Sequence, residues 1–208
     1  MTQLSDWLAL AGICMLGAMS PGPSLAVVIR HSVDGGRGHG VAVALSHGVG
    51  VGLYAGMSAL GIAALLTAQP MLLTVLQFAG ALFLLWLAFS AARQACKNPG
   101  SQSPEAPVSR GLAWRDGFLI AFLNPKIAVF FLALFSQFVE AGQGWLSKLG
   151  MAALASGIDA LWYALVALVL STAPARRAFF AWRRYLDGAF ACLLALVACR
   201  VLYGLWMP

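Results

Sequence analysis

An ammonium and a carboxylate stand inside apolar stretches of this chain: Lys126 directly follows Asn124-Pro125, and Asp159 shares a helical face with Ser156 and Tyr163. Each charge costs roughly 2.5–3.5 kcal/mol at the centre of a membrane helix, so both are expected to face the protein interior. Opposite charges in one cavity suit a zwitterion, whose carboxylate and ammonium ends they would meet. The same two groups could instead pair with each other and serve only to hold helices together. Asp159 is also a candidate proton carrier, because buried carboxyl groups exchange protons as charged neighbours arrive and leave. His47, in another apolar stretch and on the same broad face as Tyr54, is a second proton-coupling candidate; a hydrogen-bonded packing role is its alternative.

Two proline motifs must position these groups. Ser20-Pro21-Gly22-Pro23-Ser24 interrupts the first apolar segment and Asn124-Pro125-Lys126 interrupts the fourth. A capping residue followed by proline starts a helix, so each motif reads as a new half-helix beginning partway across a bilayer, with Ser20 and Asn124 as N-caps. Such an end exposes unpaired amides and about half a positive charge, which suits a carboxylate. A proline kink re-satisfied by neighbouring helices is the simpler alternative. Two breaks at corresponding places favour a binding site over two coincident kinks.

Composition sets the medium. Hydrophobic residues make up 61% of the 208 and charged residues 10%, and the mean hydropathy is +0.84, far from the profile of a water-soluble domain. The chain is therefore expected to be an all-α integral membrane protein. A net charge of +6 does not point to nucleic acid, because the basic residues cluster in short connections between apolar runs. The cysteines, Cys14, Cys96, Cys192 and Cys199, form no Cys-x-x-Cys pair, and neither a metal site nor a cofactor is implied.

Six runs are long enough to span: Leu4 to Ile29, Gly40 to Leu66, Pro70 to Ala92, Gly117 to Val139, Leu146 to Ala173 and Tyr185 to Met207. Arg30 and Arg37, then Arg93, Lys97, Arg110 and Arg115, then Arg176, Arg177, Arg183 and Arg184 fall in alternate connections, whereas the other side carries Lys148. This bias predicts three cytoplasmic loops and both termini outside. The polar stretch 98–112 divides the chain into repeats 1–97 and 113–208 of three spans each. An odd number of spans per repeat makes the two inverted, with spans one and four broken at the proline motifs. Gly48, Gly52 and Gly56 form a small-residue stripe where the second span meets a neighbour.

Met19 to Ser24, the turn Gly35-Gly36-Arg37-Gly38, Asp116-Gly117-Phe118 through Asn124-Pro125-Lys126, Phe130-Phe131, Gln137-Phe138-Val139, and Asp159 with Trp162-Tyr163 together resemble the LysE/RhtB family of amino-acid exporters. The resemblance covers essentially the whole chain. It implies a secondary exporter in a bacterial cytoplasmic (inner) membrane that moves amino acids or related zwitterionic metabolites outward by proton antiport. Its partners would be the amino acid, protons and membrane lipids, with a homo-oligomer left open. Carried over by position, Pro21, Gly22, Pro23, Ser24, Asn124, Pro125, Lys126 and Asp159 would contact substrate, and Asp159 and His47 would couple protons. Ser136, Ser24 and His47 depart from the family's usual residues and are expected close to the cavity.

Three other functions use the same residues. A zwitterion-permeable channel could be lined by these groups. A membrane thiol-redox enzyme would need facing cysteines, and the broken-helix motifs contain none. An intramembrane hydrolase would use Ser24 or Ser156 with His47 and lacks a recognisable oxyanion motif.

Overall fold

The computed structural model describes residues 4–20, 22–68, 70–96, 112–140 and 142–206, and these are helical with short connections and no strand. Eight helices follow in order: α1 (Leu4–Met19), α2 (Pro23–Asp34), α3 (Arg37–Ala68), α4 (Pro70–Ala95), α5 (Ala113–Phe122), α6 (Pro125–Phe138), α7 (Trp145–Val169) and α8 (Ala173–Trp206). Within α3, α4, α7 and α8 lie four stretches long and apolar enough to cross a membrane; the count rises to six if the bent pairs α1/α2 and α5/α6 each form one span. Bends of 63° and 54° separate the members of those pairs. The 98–112 stretch lies outside the described residues except for Leu112.

Two local expectations are corrected. Arg176, Arg177, Arg183 and Arg184, expected in a loop, belong to the long helix α8. No glycine or proline interrupts residues 175–187, and alanine and arginine favour helix, so nothing there stops it. At the first break the helix starts two residues later than Ser20-Pro21 suggests. Gly22 is the N-cap in an extended conformation and Pro23 the first helical residue, while the Ser20 amide still bonds back to the carbonyls of Leu16 (3.1 Å) and Gly17 (3.3 Å). A residue before proline avoids helical geometry, so Gly22 is held extended by Pro23 and α2 begins only after it.

α3 is the central helix and packs against α7, α5, α2, α6 and α4, while α8 packs on α4 and α1. The glycine stripe faces α7: a Cβ on Gly48 would lie 2.7 Å from the Ala160 methyl and 3.0 Å from the Ser156 carbonyl. Ser156 donates to the Gly48 carbonyl at 2.8 Å, tying the close approach. On α5, Gly117 lies so close to Val43 and Ser46 that no side chain fits. Opposite faces carry exposed apolar rows such as Leu45, Val49, Leu53, Met57 and Leu60 on α3. Rows of that length on several helices suit lipid rather than water.

The interior has two apolar clusters. One gathers Leu10, Val51, Ala55, Phe130, Phe135, Met151 and Leu194; the other gathers Leu25, Val28, Val43, Ala44, Tyr163 and Val166. Along α3, His47 falls between Ala44 of one cluster and Val51 of the other, and along α7 Asp159 falls between Ala155 and Tyr163. A polar layer therefore separates the two apolar cores, at the level of the helix breaks.

Candidate functional site

The second break is built as its sequence suggests. Asn124 is extended and its side chain accepts a hydrogen bond from the Lys126 amide at 3.0 Å, with Pro125 as the first helical residue. The cap satisfies one of the amides that a helix start leaves unpaired. On the other side of the break Tyr54 donates its hydroxyl to the Phe122 carbonyl at 2.6 Å, so a carbonyl at the end of α5 also finds a partner. The first break has no side-chain cap at Gly22.

Both breaks open onto a cavity of about 70 Å³, roughly five times the 10–15 Å³ that one water needs. Gly22, Pro23 and Ser24 line it from the first break, Asn124 and Lys126 from the second, His47 from α3 and Asp159 from α7. Cys14, Val51, Ile127, Phe130, Phe131 and Phe190 supply an apolar wall. Of the residues expected at the site, Pro125 is the first residue of α6 and does not line the cavity, and Pro21 lies outside the described residues. Ser136, expected near the cavity, is instead held at the α4/α6 contact: its carbonyl accepts from Gln77 at 3.0 Å and its hydroxyl donates to the Ala133 carbonyl at 2.7 Å.

Lys126 and Asp159 take different hydrogen-bond partners. Asp159 bonds His47 Nδ1 through Oδ2 at 2.6 Å, and His47 Nε2 lies 2.8 Å from Ser24 Oγ. His47 is 1% exposed, with the Tyr163 ring edge-on at 4.8 Å. Thus α2, α3 and α7 are joined by one hydrogen-bonded chain, Ser24–His47–Asp159. Lys126 turns elsewhere. Its ammonium donates to the Ser20 hydroxyl at a long 3.5 Å and stands 5.8 Å from the centre of the Phe190 ring.

Sequence reasoning passed over three of these features. Asp187 is 1% exposed but follows Arg183-Arg184-Tyr185, which reads as a membrane boundary; an acidic residue opening an apolar run was the available signal. The Tyr54 contact joins residues far apart in the chain and has no local signature. Asp116 bonds His31 of α2 at 3.1 Å, a second histidine–carboxylate pair that ties α2 to α5 across 85 residues of chain.

Apolar helices with lipid-suited faces, packed around a small cavity lined by Lys126 and Asp159, define a multi-pass membrane protein. The chain belongs to the LysE type translocator family, whose sequence profile matches residues 15–205. It is similar to the threonine efflux protein of Escherichia coli (strain K12), 27% identical over 93% of this chain and 95% of that protein. An uncharacterized membrane protein of Pseudomonas aeruginosa is 32% identical over 75% of this chain and 74% of its own length. The leucine efflux protein of Salmonella choleraesuis is 26% identical over 66% of this chain and 64% of that protein. No solved structure matches. The family is one of translocators, so the chain is a transporter and not an enzyme, and both the thiol-redox and hydrolase readings fall away. The Ser24–His47–Asp159 chain has the order of a hydrolytic triad in a protein whose family moves solutes.

Proposed function

We propose that this transporter exports amino acids from a bacterial cytoplasm across the inner membrane in exchange for protons. The observation that carries the reading is one cavity lined by both helix breaks and by an ammonium and a carboxylate from different helices. Relatives named for threonine and leucine efflux support the substrate class. Each bent helix pair is one span, giving six spans in two inverted repeats with both termini outside, in keeping with the distribution of basic residues.

In this mechanism the substrate's carboxylate lies against Lys126 and the uncapped start of α2, whose first-turn amides have no intrahelical acceptor. Its ammonium meets Asp159, which uses Oδ2 for His47 and keeps its other oxygen for the ligand. A proton on the His47–Asp159 pair and the ammonium of the substrate neutralise the same carboxylate. One therefore excludes the other, and that exclusion is what exchange requires. The apolar wall of Phe130, Phe131 and Phe190 receives the substrate's side chain.

Efflux of preloaded, labelled amino acids tests the reading. Lys126→Ala and Asp159→Asn are each expected to reduce efflux at least tenfold, the scale on which losing a buried charged contact weakens recognition. In vesicles, wild-type efflux should run uphill when a pH gradient is imposed. Efflux that survives both substitutions would sink the site, and strictly downhill flux would replace the carrier with a channel.

A further inference from the structure

The cavity is polar at one level and apolar at the next. From each of its polar lining residues Ser20, His47, Lys126 and Asp159, one helical turn leads to a lining residue that is small or apolar: Gly17 on α1, Val51 on α3, Phe130 on α6 and Ala155 on α7. Val51, Phe130 and Ala155 belong to a single apolar cluster, which also holds Cys14. The four steps therefore lead into one compartment beside the layer of charges. A charged side chain placed there would meet carbon and the weakly bonding Cys14 thiol, and its polar atoms would go unpaired. One turn rises about 5.4 Å, a distance that a branched four-carbon side chain bridges.

One contact sets the depth of that compartment. The Phe130 ring rests its tip on Gly17: a Cβ on Gly17 would stand 3.2 Å from Cζ and 3.5 and 3.9 Å from the two Cε atoms. The ring is 7% exposed and packs edge-on against Phe131, with centroids 5.3 Å apart. It reaches α1 because residue 17 has no side chain, so the smallness of one residue and the length of the other are matched. We propose that Gly17 and Phe130 are specificity-determining residues that together fix the end of a compartment for an uncharged, aliphatic side chain of leucine's size. This rests on the proposed amino-acid reading, in which the charged groups hold the substrate's carboxylate and ammonium and leave its side chain to this pair.

The test reconstitutes the full-length chain in vesicles and measures kcat/KM for efflux of leucine, alanine, phenylalanine, lysine and glutamate. Wild type should favour leucine over alanine, lysine and glutamate. Gly17→Ala should lower the leucine-to-alanine ratio about tenfold, the lower end of what one carbon decides in an apolar pocket. Phe130→Leu removes Cζ and both Cε, the atoms nearest Gly17, and should raise phenylalanine relative to leucine about tenfold. Combining the two should return the leucine-to-alanine ratio toward wild type, because the added methyl then fills space that the ring gave up. A mere loss of folded protein would lower every substrate alike and would not be undone by the second substitution.

An unchanged leucine-to-alanine ratio in Gly17→Ala would overturn the inference, as would a wild type that prefers lysine or glutamate to leucine. Should Gly17→Ala fold poorly, Phe130→Leu decides alone: a gain for phenylalanine supports the pair and no gain overturns it. Wild-type protein that exports none of these amino acids would overturn the amino-acid reading and this inference together. Wild-type efflux with unaltered selectivity in the variants would overturn this inference only, so the wild-type arm tells the two failures apart.

Discussion

At the α5/α6 break the Asn124 side chain caps the new helix and Tyr54 takes a carbonyl from the old one, whereas at the α1/α2 break Gly22 offers no side-chain cap. Both breaks follow from proline, and both line the cavity. They differ in where their polar groups are answered. The second is satisfied mostly by its own neighbourhood, which fixes the direction of Lys126. The first relies on distant helices, through Ser24 to His47 and on to Asp159. The same backbone event can therefore make a rigid support on one side of a cavity and a receptive surface on the other.

The largest expected effect strikes the first break. His47→Ala removes the link between Ser24 and Asp159 and leaves that carboxylate buried without its partner, so unfolding stability should fall by about 3–5 kcal/mol. Thermal or denaturant unfolding in detergent measures it, and a loss below about 1 kcal/mol would erase the contrast between the breaks. At the second break, Asn124→Ala should cost about 1 kcal/mol, the usual value of a helix cap. A much larger loss there would mean that the second break is no more self-sufficient than the first. The smallest effect on stability comes from Gly22→Asn, which supplies the missing cap and should stabilise by a few tenths of a kcal/mol. Efflux should nevertheless fall in that variant, because the new side chain occupies the amides proposed to meet the substrate. Unchanged efflux would show that these amides do not meet the substrate.

Much of the helical framework was legible in the residues. The Asn124-Pro125 cap, the breaks near Pro23 and Pro125, and the glycine stripe that meets α7 all arise from short-range stereochemistry or from helical periodicity. Even the misplaced start of α2 has a local cause, since two prolines at alternate positions compete and the second one wins. The partners of the charges were not legible. Lys126 and Asp159 do line one cavity, but His47 claims Asp159 across 112 residues of chain.

By itself the sequence determined the medium, the helices and where two of them break, because hydropathy, proline geometry and capping act within a few residues. Only the tertiary structure decided which charge answers which. Helical periodicity says which residues share a face, while pairing depends on which faces meet and at what depth. Here the close α3/α7 contact at Gly48 and Ser156 brings His47 and Asp159 to one level between two apolar cores, and Lys126 is left beside the Phe190 ring of α8.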